Sequence, residues 1–283
     1  MAVATGRDRL AAAGCDSPRL DAELLLAEIL GVGRERLVMD RSELLAPSAW
    51  ERFESLLARR QAREPVAYIL GRRDFRRLTL QLDRRVLIPR PETELLVEVG
   101  LTLPAGARVL DVGTGSGAVA LALADERPDL RVRGVDIDSG AVEIARSNAA
   151  RLGLEVGFAP ADMLDDKPCD AILANLPYVP DGTSLAPEIA RWEPARALFA
   201  GGDGLDLIRR LIAAVTALGP APPASPPMPV SLTRPPMPAL LALEVGSEQA
   251  HEVAGLVADA GFATVERLAD LAGRDRVVVG RRL

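Results

Sequence analysis

The sequence predicts an α/β fold with a mostly parallel sheet, preceded by a small helical domain. Three observations carry this. From residue 108 onward, short apolar runs alternate with stretches of helical periodicity. A Gly-rich turn separates the first such run from the helix after it, and residues 1–70 show helical spacing with no strand pattern. At 283 residues the chain is long enough to bury a full core and a smaller second domain.

In the N-terminal domain, Ser17 and Pro18 read as an N-cap and first helical position. Leu20, Leu24, Leu25 and Ile29 then recur at helical spacing until Gly31 stops them. A second helix follows Pro47, with Trp50, Phe53, Leu56 and Leu57 on one face. Eleven basic and eleven acidic residues from 1 to 72 leave this domain neutral. Packing appendage and recognition module for a macromolecular substrate are equally open readings of it.

Residues 71–88 alternate polar and apolar around a turn near Asp83, which predicts a β-hairpin linker over 71–90. The six arginines of 71–88 against two aspartates suit a solvated strand face or an acidic or phosphate-bearing partner. Pro91 then opens a helix running to about Leu101. The large domain, 91–283, carries seven strand patterns, at 108–112, 132–135, 155–159, 171–174, 240–245, 263–268 and 276–280. Helices are expected from Ala118, from a Ser139 cap, after the 201–206 glycine cluster and over 247–260. Residues 219–238 hold nine prolines and little that packs, which predicts a disordered loop.

Composition narrows the chemistry. The hydrophobic fraction is 48% with only 3% aromatics, so the core is aliphatic. A net charge of −6 argues against broad affinity for nucleic acid or membranes. Cys15 and Cys169 lie far apart and suit a reducing cytoplasm, and no transmembrane or secretory segment is read. With His251 the only histidine, a Ser-His-Asp triad and a His-based metal site are excluded, and no metal is expected.

The site is expected where the strands end. Asp111 precedes the turn Gly113-Thr114-Gly115-Ser116-Gly117, whose backbone N–H groups and following helix can approach a ligand closely. Asp136 ends the second strand pattern, Asp162 and Met163 follow the third, and Asn175-Leu176-Pro177-Tyr178 follows the fourth. Gly113, Gly115 and Ala118 with Asp136 also satisfy the relaxed dinucleotide fingerprint, which keeps a nicotinamide cofactor open at this point.

Taken together, the acids, the glycines and the Asn175 motif resemble the class I S-adenosylmethionine methyltransferases that act on amide or exocyclic amino nitrogens. The resemblance implies a Rossmann-like seven-stranded sheet. A narrower likeness runs nearly full length. Leu87-Ile88-Pro89-Arg90-Pro91-Glu92-Thr93-Glu94, the 111–117 turn, Glu193-Pro194, Ala197-Leu198-Phe199, Gly202-Asp203-Gly204-Leu205-Asp206 and the 270–276 segment are similar to the peptide-chain release factor glutamine N5-methyltransferases. These methylate the glutamine of the Gly-Gly-Gln motif in bacterial class I release factors.

The resemblance implies that Asp111, Gly113, Thr114, Gly115, Ser116, Gly117, Asp136, Asp162, Met163 and Asn175 bind S-adenosylmethionine and its product S-adenosylhomocysteine. Asn175 and Tyr178 would be catalytic. Leu87, Pro89, Arg90, Pro91, Asn175, Leu176, Pro177 and Tyr178 would enclose the substrate amide, whose N–H bonds go to the Asn175 side-chain oxygen and the Leu176 carbonyl. The expected partner is a class I release factor, with no membrane, no direct nucleic-acid binding and a monomeric chain. Leu176 departs from the family's proline and matches a form used by adenine N6-methyltransferases, so methylation of adenine in RNA or DNA is the alternative. A cofactor-binding adaptor without activity is the non-enzymatic one.

Overall fold

A computed structural model describes residues 2–39, 45–219 and 237–282. Most of the Pro-rich segment therefore lies outside the described residues. The chain divides into two compact units: residues 1–72, 82–84 and 184–193 form one, and residues 73–81, 85–183 and 194–283 the other.

The first unit is built from helices Ala2–Ala12, Pro18–Leu30, Arg34–Met39, Pro47–Gln61 and Val66–Leu70. Leu10, Leu25, Phe53 and Leu57 are fully buried at its centre. Burying a side chain of this size contributes roughly 1.5–3 kcal/mol. Ser17 stands at the cap position without making a side-chain cap bond, and Gly31 closes the helix in the left-handed conformation. Helix Pro187–Trp192 belongs to this unit. Arg60 and Arg63 hold it: Arg60 reaches Glu188 at 2.9 Å and Asp21 at 2.7 Å, and Arg63 takes Glu188 through two bonds of 2.6 Å.

The hairpin consists of β1 (Arg72–Phe75) and β2 (Leu78–Gln81). Its turn falls at Arg76-Arg77, which corrects the expected turn near Asp83. The reason is tertiary. Arg76 adopts φ 53°, uncommon for a side chain of its size, and its guanidinium is held by Glu126 at 2.6 Å and by Glu98. Neither glutamate is near it in the chain.

The large unit contains a seven-stranded sheet. Its strands are β3 (Arg108–Val112), β4 (Arg131–Asp136), β5 (Gly157–Pro160), β6 (Ala171–Ala174), β7 (Leu240–Glu244), β8 (Thr264–Ala269) and β9 (Asp275–Arg281), in the order β5-β4-β3-β6-β7-β9-β8. The first five are parallel, and β9 runs antiparallel to both β7 and β8. Central strands read as unbroken apolar runs because both faces are covered. Val109, Leu173 and Ala242 face one core, packed by helices Glu94–Leu101, Ala118–Glu126 and Ser139–Leu152. Leu110, Ile172 and Leu243 face the other, packed by Asp206–Ala217 and Ala250–Asp259. Helix Ser139–Leu152 is capped by Asp138, whose carboxylate accepts from the Gly140 N–H at 2.8 Å, rather than by the expected Ser139. The carboxylate one residue earlier reaches the exposed N–H with the better geometry.

The chain winds outward through β4 and β5 and returns to β6 on the far side of β3. That reversal opens a crevice beyond the carboxyl ends of β3 and β6, where open sheets bind ligands.

Candidate functional site

The crevice holds one pocket, made entirely by the large unit. Asp111, Gly113, Thr114, Gly115, Ser116, Asp136, Asp162, Met163, Asn175, Leu176, Pro177, Leu87 and Pro89 all line it. Gly117 sits behind the wall as the left-handed cap of helix Ala118–Glu126. Arg90, Pro91 and Tyr178 do not reach its surface.

The Gly-rich turn is possible because Gly113, Gly115 and Gly117 have φ of 72°, 54° and 84°, which side chains rarely adopt. A Cβ on Gly113 would also stand 3.0 Å from the Leu176 side chain. The turn and the Asn175 loop thus pack directly on each other. The N–H groups of Gly113 and Thr114 both donate to the Val135 carbonyl at 2.9 Å, which ties the turn to β4. Fully buried Asn148 donates to the Ser116 carbonyl at 3.0 Å and exchanges two bonds with the Gln81 backbone, so the hairpin braces the same turn.

Two acids shape the floor. Asp111 accepts from the Thr114 hydroxyl at 2.6 Å and the Ala120 N–H at 3.3 Å; burial nonetheless pushes its carboxyl up to about 7. Asp136 accepts from the N–H groups of Gly115 and Asp138, each at 2.9 Å, and its carboxyl is also raised by burial. Its two oxygens stand where a pair of hydroxyls can donate to them. At the mouth, Arg196 pairs with Asp138 at 2.5 Å and Arg210 with Asp162. The second pair, exposed on both sides, contributes at most about 1 kcal/mol. Met163 has φ 69°, and Ile137 lines the mouth while 67% exposed, an apolar surface beside Asp136.

The Asn175 loop is pinned from behind. Val179 bridges Phe199, with the Val179 N–H donating to Leu198 O at 2.9 Å and the Ala200 N–H to Val179 O at 3.0 Å. Gln249 donates to the carbonyls of Tyr178 and Asp203, both at 2.9 Å. The Leu198-Phe199 and 202–206 motifs therefore hold the loop in place. Asn175 donates its Nδ2–H to Thr93 Oγ1 at 3.0 Å, and the Tyr178 hydroxyl lies 3.4 Å from Glu244 Oε1. Burial pushes the Tyr178 phenol up to about 12, and the neighbouring Glu244 carboxylate adds to the rise.

Sequence reasoning gave no site role to Thr93, although it lies in the 87–94 motif, nor to Asn148, Ile137 and Glu244. One signal was present: Glu244 ends the otherwise wholly apolar run Leu240-Leu241-Ala242-Leu243. Among the described residues no group of three or more His, Cys, Asp or Glu side chains is arranged to hold a metal, and no helix is long and apolar enough to cross a membrane.

A sulfonium nucleoside fits this donor set. The glycine cradle admits a ligand against the backbone, Asp136 offers acceptors for vicinal hydroxyls, and the mouth is apolar at Ile137 and Met163.

Comparison with known proteins agrees with the geometry. Residues 1–71 match the PrmC N-terminal domain family and residues 91–203 the methyltransferase small domain. A release factor glutamine methyltransferase of Rhodospirillum rubrum is 42% identical over 98% of this chain and 83% of its own length. One from Neisseria gonorrhoeae is 41% identical over 93% of each chain. Among solved structures, the hMettl16 catalytic domain in complex with a MAT2A 3′UTR hairpin has a TM-score of 0.58 at 14% identity, covering 81% of this chain and 82% of that one, a likeness of fold alone.

Proposed function

The chain belongs to the release factor glutamine methyltransferases, and from that premise we propose how its site performs the reaction. The protein is an S-adenosylmethionine-dependent protein-glutamine N5-methyltransferase whose substrate is the Gly-Gly-Gln glutamine of a class I release factor. When bound, S-adenosylmethionine would supply an electrophilic methyl group to the amide nitrogen and leave as S-adenosylhomocysteine, with the displaced N–H proton going to solvent.

The chain's own residues supply position. Gly113 to Ser116, with Gly117 turning the chain behind them, would hold the methionine part of the cofactor, Asp136 would hold the ribose hydroxyls, and Asp162, Met163 and Ile137 would border the adenine. Asn175 Oδ1 and the Leu176 carbonyl accept the two N–H bonds of the substrate amide, with Leu87, Pro89 and Pro177 around it. Tyr178, Arg90 and Pro91 support this wall from outside the pocket. An amide lone pair is delocalised, so orientation toward the methyl group is the main device; ordered reactants can recover roughly 7–11 kcal/mol of barrier.

The observation that carries the reading is Asn175. Its nitrogen donates to Thr93, which leaves its oxygen as the acceptor end of a residue that lines the pocket beside the glycine turn. Residues 1–70, whose helices match the PrmC N-terminal domain, are assigned to substrate recognition, 71–90 to a linker and 91–283 to catalysis.

Labelled S-adenosylmethionine offered with purified release factor and ribosomal RNA side by side tests the reading. Label in the Gly-Gly-Gln peptide is the expected result; label in RNA alone favours adenine methylation instead. Asn175→Ala should lower kcat by at least about 10²-fold while calorimetry finds cofactor affinity little changed. A parallel loss of cofactor binding would give Asn175 a different role.

A further inference from the structure

Behind the pocket lies a buried carboxylate that the reaction as described does not use. Glu244 is the last residue of β7 and only 1% exposed. Tyr178 and Thr93 are its hydrogen-bonding neighbours, and its Oε2 has no hydrogen-bond partner among the described residues. An acid so placed costs stability, because no cation among the described residues is paired with it to offset its burial.

The bonding directions are fixed by chemistry. With Glu244 charged, its carboxylate only accepts, so the single Thr93 hydroxyl proton is directed to it. Thr93 Oγ1 then has only lone pairs to offer Asn175, and it receives the Asn175 Nδ2–H at 3.0 Å. The two ends of a carboxamide are nearly the same size, and only hydrogen-bond partners tell them apart. A substrate amide approaching with N–H bonds needs the oxygen end.

We propose that Glu244 and Thr93 form a positioning relay that sets which end of the Asn175 carboxamide faces the substrate. Neither residue touches the reacting atoms through this relay; both act through Asn175. The relay rests on the reading of Asn175 as the substrate's acceptor. Burial raises the Glu244 carboxyl to about 7, while Thr93, Tyr178 and Arg276 favour its charged form and Glu92 opposes it.

The test uses the full chain with release factor as methyl acceptor. Thr93→Val removes the hydroxyl at constant shape and should lower kcat about 10- to 100-fold, with cofactor affinity within about twofold by calorimetry. Thr93→Ser restores the hydroxyl and should recover most of that loss. Glu244→Gln can present N–H to Thr93 and reverse the relay, so it should lower kcat to a similar extent. The double variant Thr93→Val with Glu244→Gln should be no worse than either alone, because the two act as one unit.

Valine or glutamine variants at wild-type kcat would overturn the relay, as would losses that multiply in the double variant. If Thr93→Val fails to fold, the Glu244→Gln result decides alone. A readout independent of turnover separates this proposal from the functional one: the Asn175 side-chain N–H resonances should lose protection from exchange in Thr93→Val. Unchanged protection would overturn the relay whatever the enzyme methylates.

Discussion

Glu188 and Glu244 are two glutamates of one chain with opposite fates. Glu188 lies in the helical unit between Arg60 and Arg63; burial raises its carboxyl, but the bonds from Arg63 and Arg60 outweigh this and hold it at about 2. Glu244, in the sheet unit, is deeper, its hydrogen-bonding neighbours are hydroxyls rather than guanidinium groups, and burial raises its carboxyl to about 7. Asp111 follows Glu244, also reaching about 7 with a hydroxyl and one N–H as partners. The helical unit pairs its buried acids with guanidinium groups, which fixes its structure. The sheet unit leaves Asp111 and Glu244 without a salt-bridged cation among the described residues, which costs stability and keeps acceptors in place at and behind the pocket.

The largest expected effect breaks the paired side. Glu188→Ala leaves Arg63 without its carboxylate and Arg60, only 7% exposed, with Asp21 alone. Loss of one partner from a buried pair should cost about 3 kcal/mol in urea denaturation. An unchanged midpoint would mean that solvent replaces the carboxylate at no cost.

The reverse change sharpens the unpaired side. Asp111→Asn keeps an acceptor for Thr114 and Ala120 but removes the buried charge, so the apo protein should gain on the order of 2 kcal/mol at pH 8. The gain should shrink as pH falls and disappear below about 4, where the wild-type carboxyl is protonated in both the folded and the unfolded chain.

The wild type should show both behaviours in one pH series of melting curves. Asp111 and Glu244 have folded values raised above their ordinary 3.8 and 4.5, so their contribution is complete below about 4 and is lost as pH rises through about 7. Glu188 is depressed, so its contribution is complete above its ordinary 4.5 and is lost as pH falls toward about 2. Apo stability should therefore peak in mildly acidic solution. A maximum at pH 8 would contradict the unpaired state of the site acids.

The smallest effect tests the apolar part of the site. Leu176 is 6% exposed and packs against the glycine turn. Leu176→Pro should cost about 1 kcal/mol of stability through lost methyl contacts while methyl transfer is kept or raised. A large drop in activity would show that this loop is built differently from that of its relatives.

Much of the fold is legible because its causes are local. The apolar runs at 108–112 and 171–174 are strands, and 113–117 is a turn that only glycine allows at three of its positions. Errors fall where a distant residue decides. The hairpin turns at Arg76 because Glu98 and Glu126 hold its guanidinium, and helix Pro187–Trp192 joins the helical unit through Arg60 and Arg63.

The sequence by itself determined the alternation of strands and helices, the glycine turn and the presence of Asn175 at a strand end, since each depends on neighbours within a few residues. Only the tertiary structure decided which way the Asn175 carboxamide points. That direction comes from Thr93, in the segment before the sheet, and Glu244, at the end of β7, and a hydrogen bond has a direction only once both of its partners are in place.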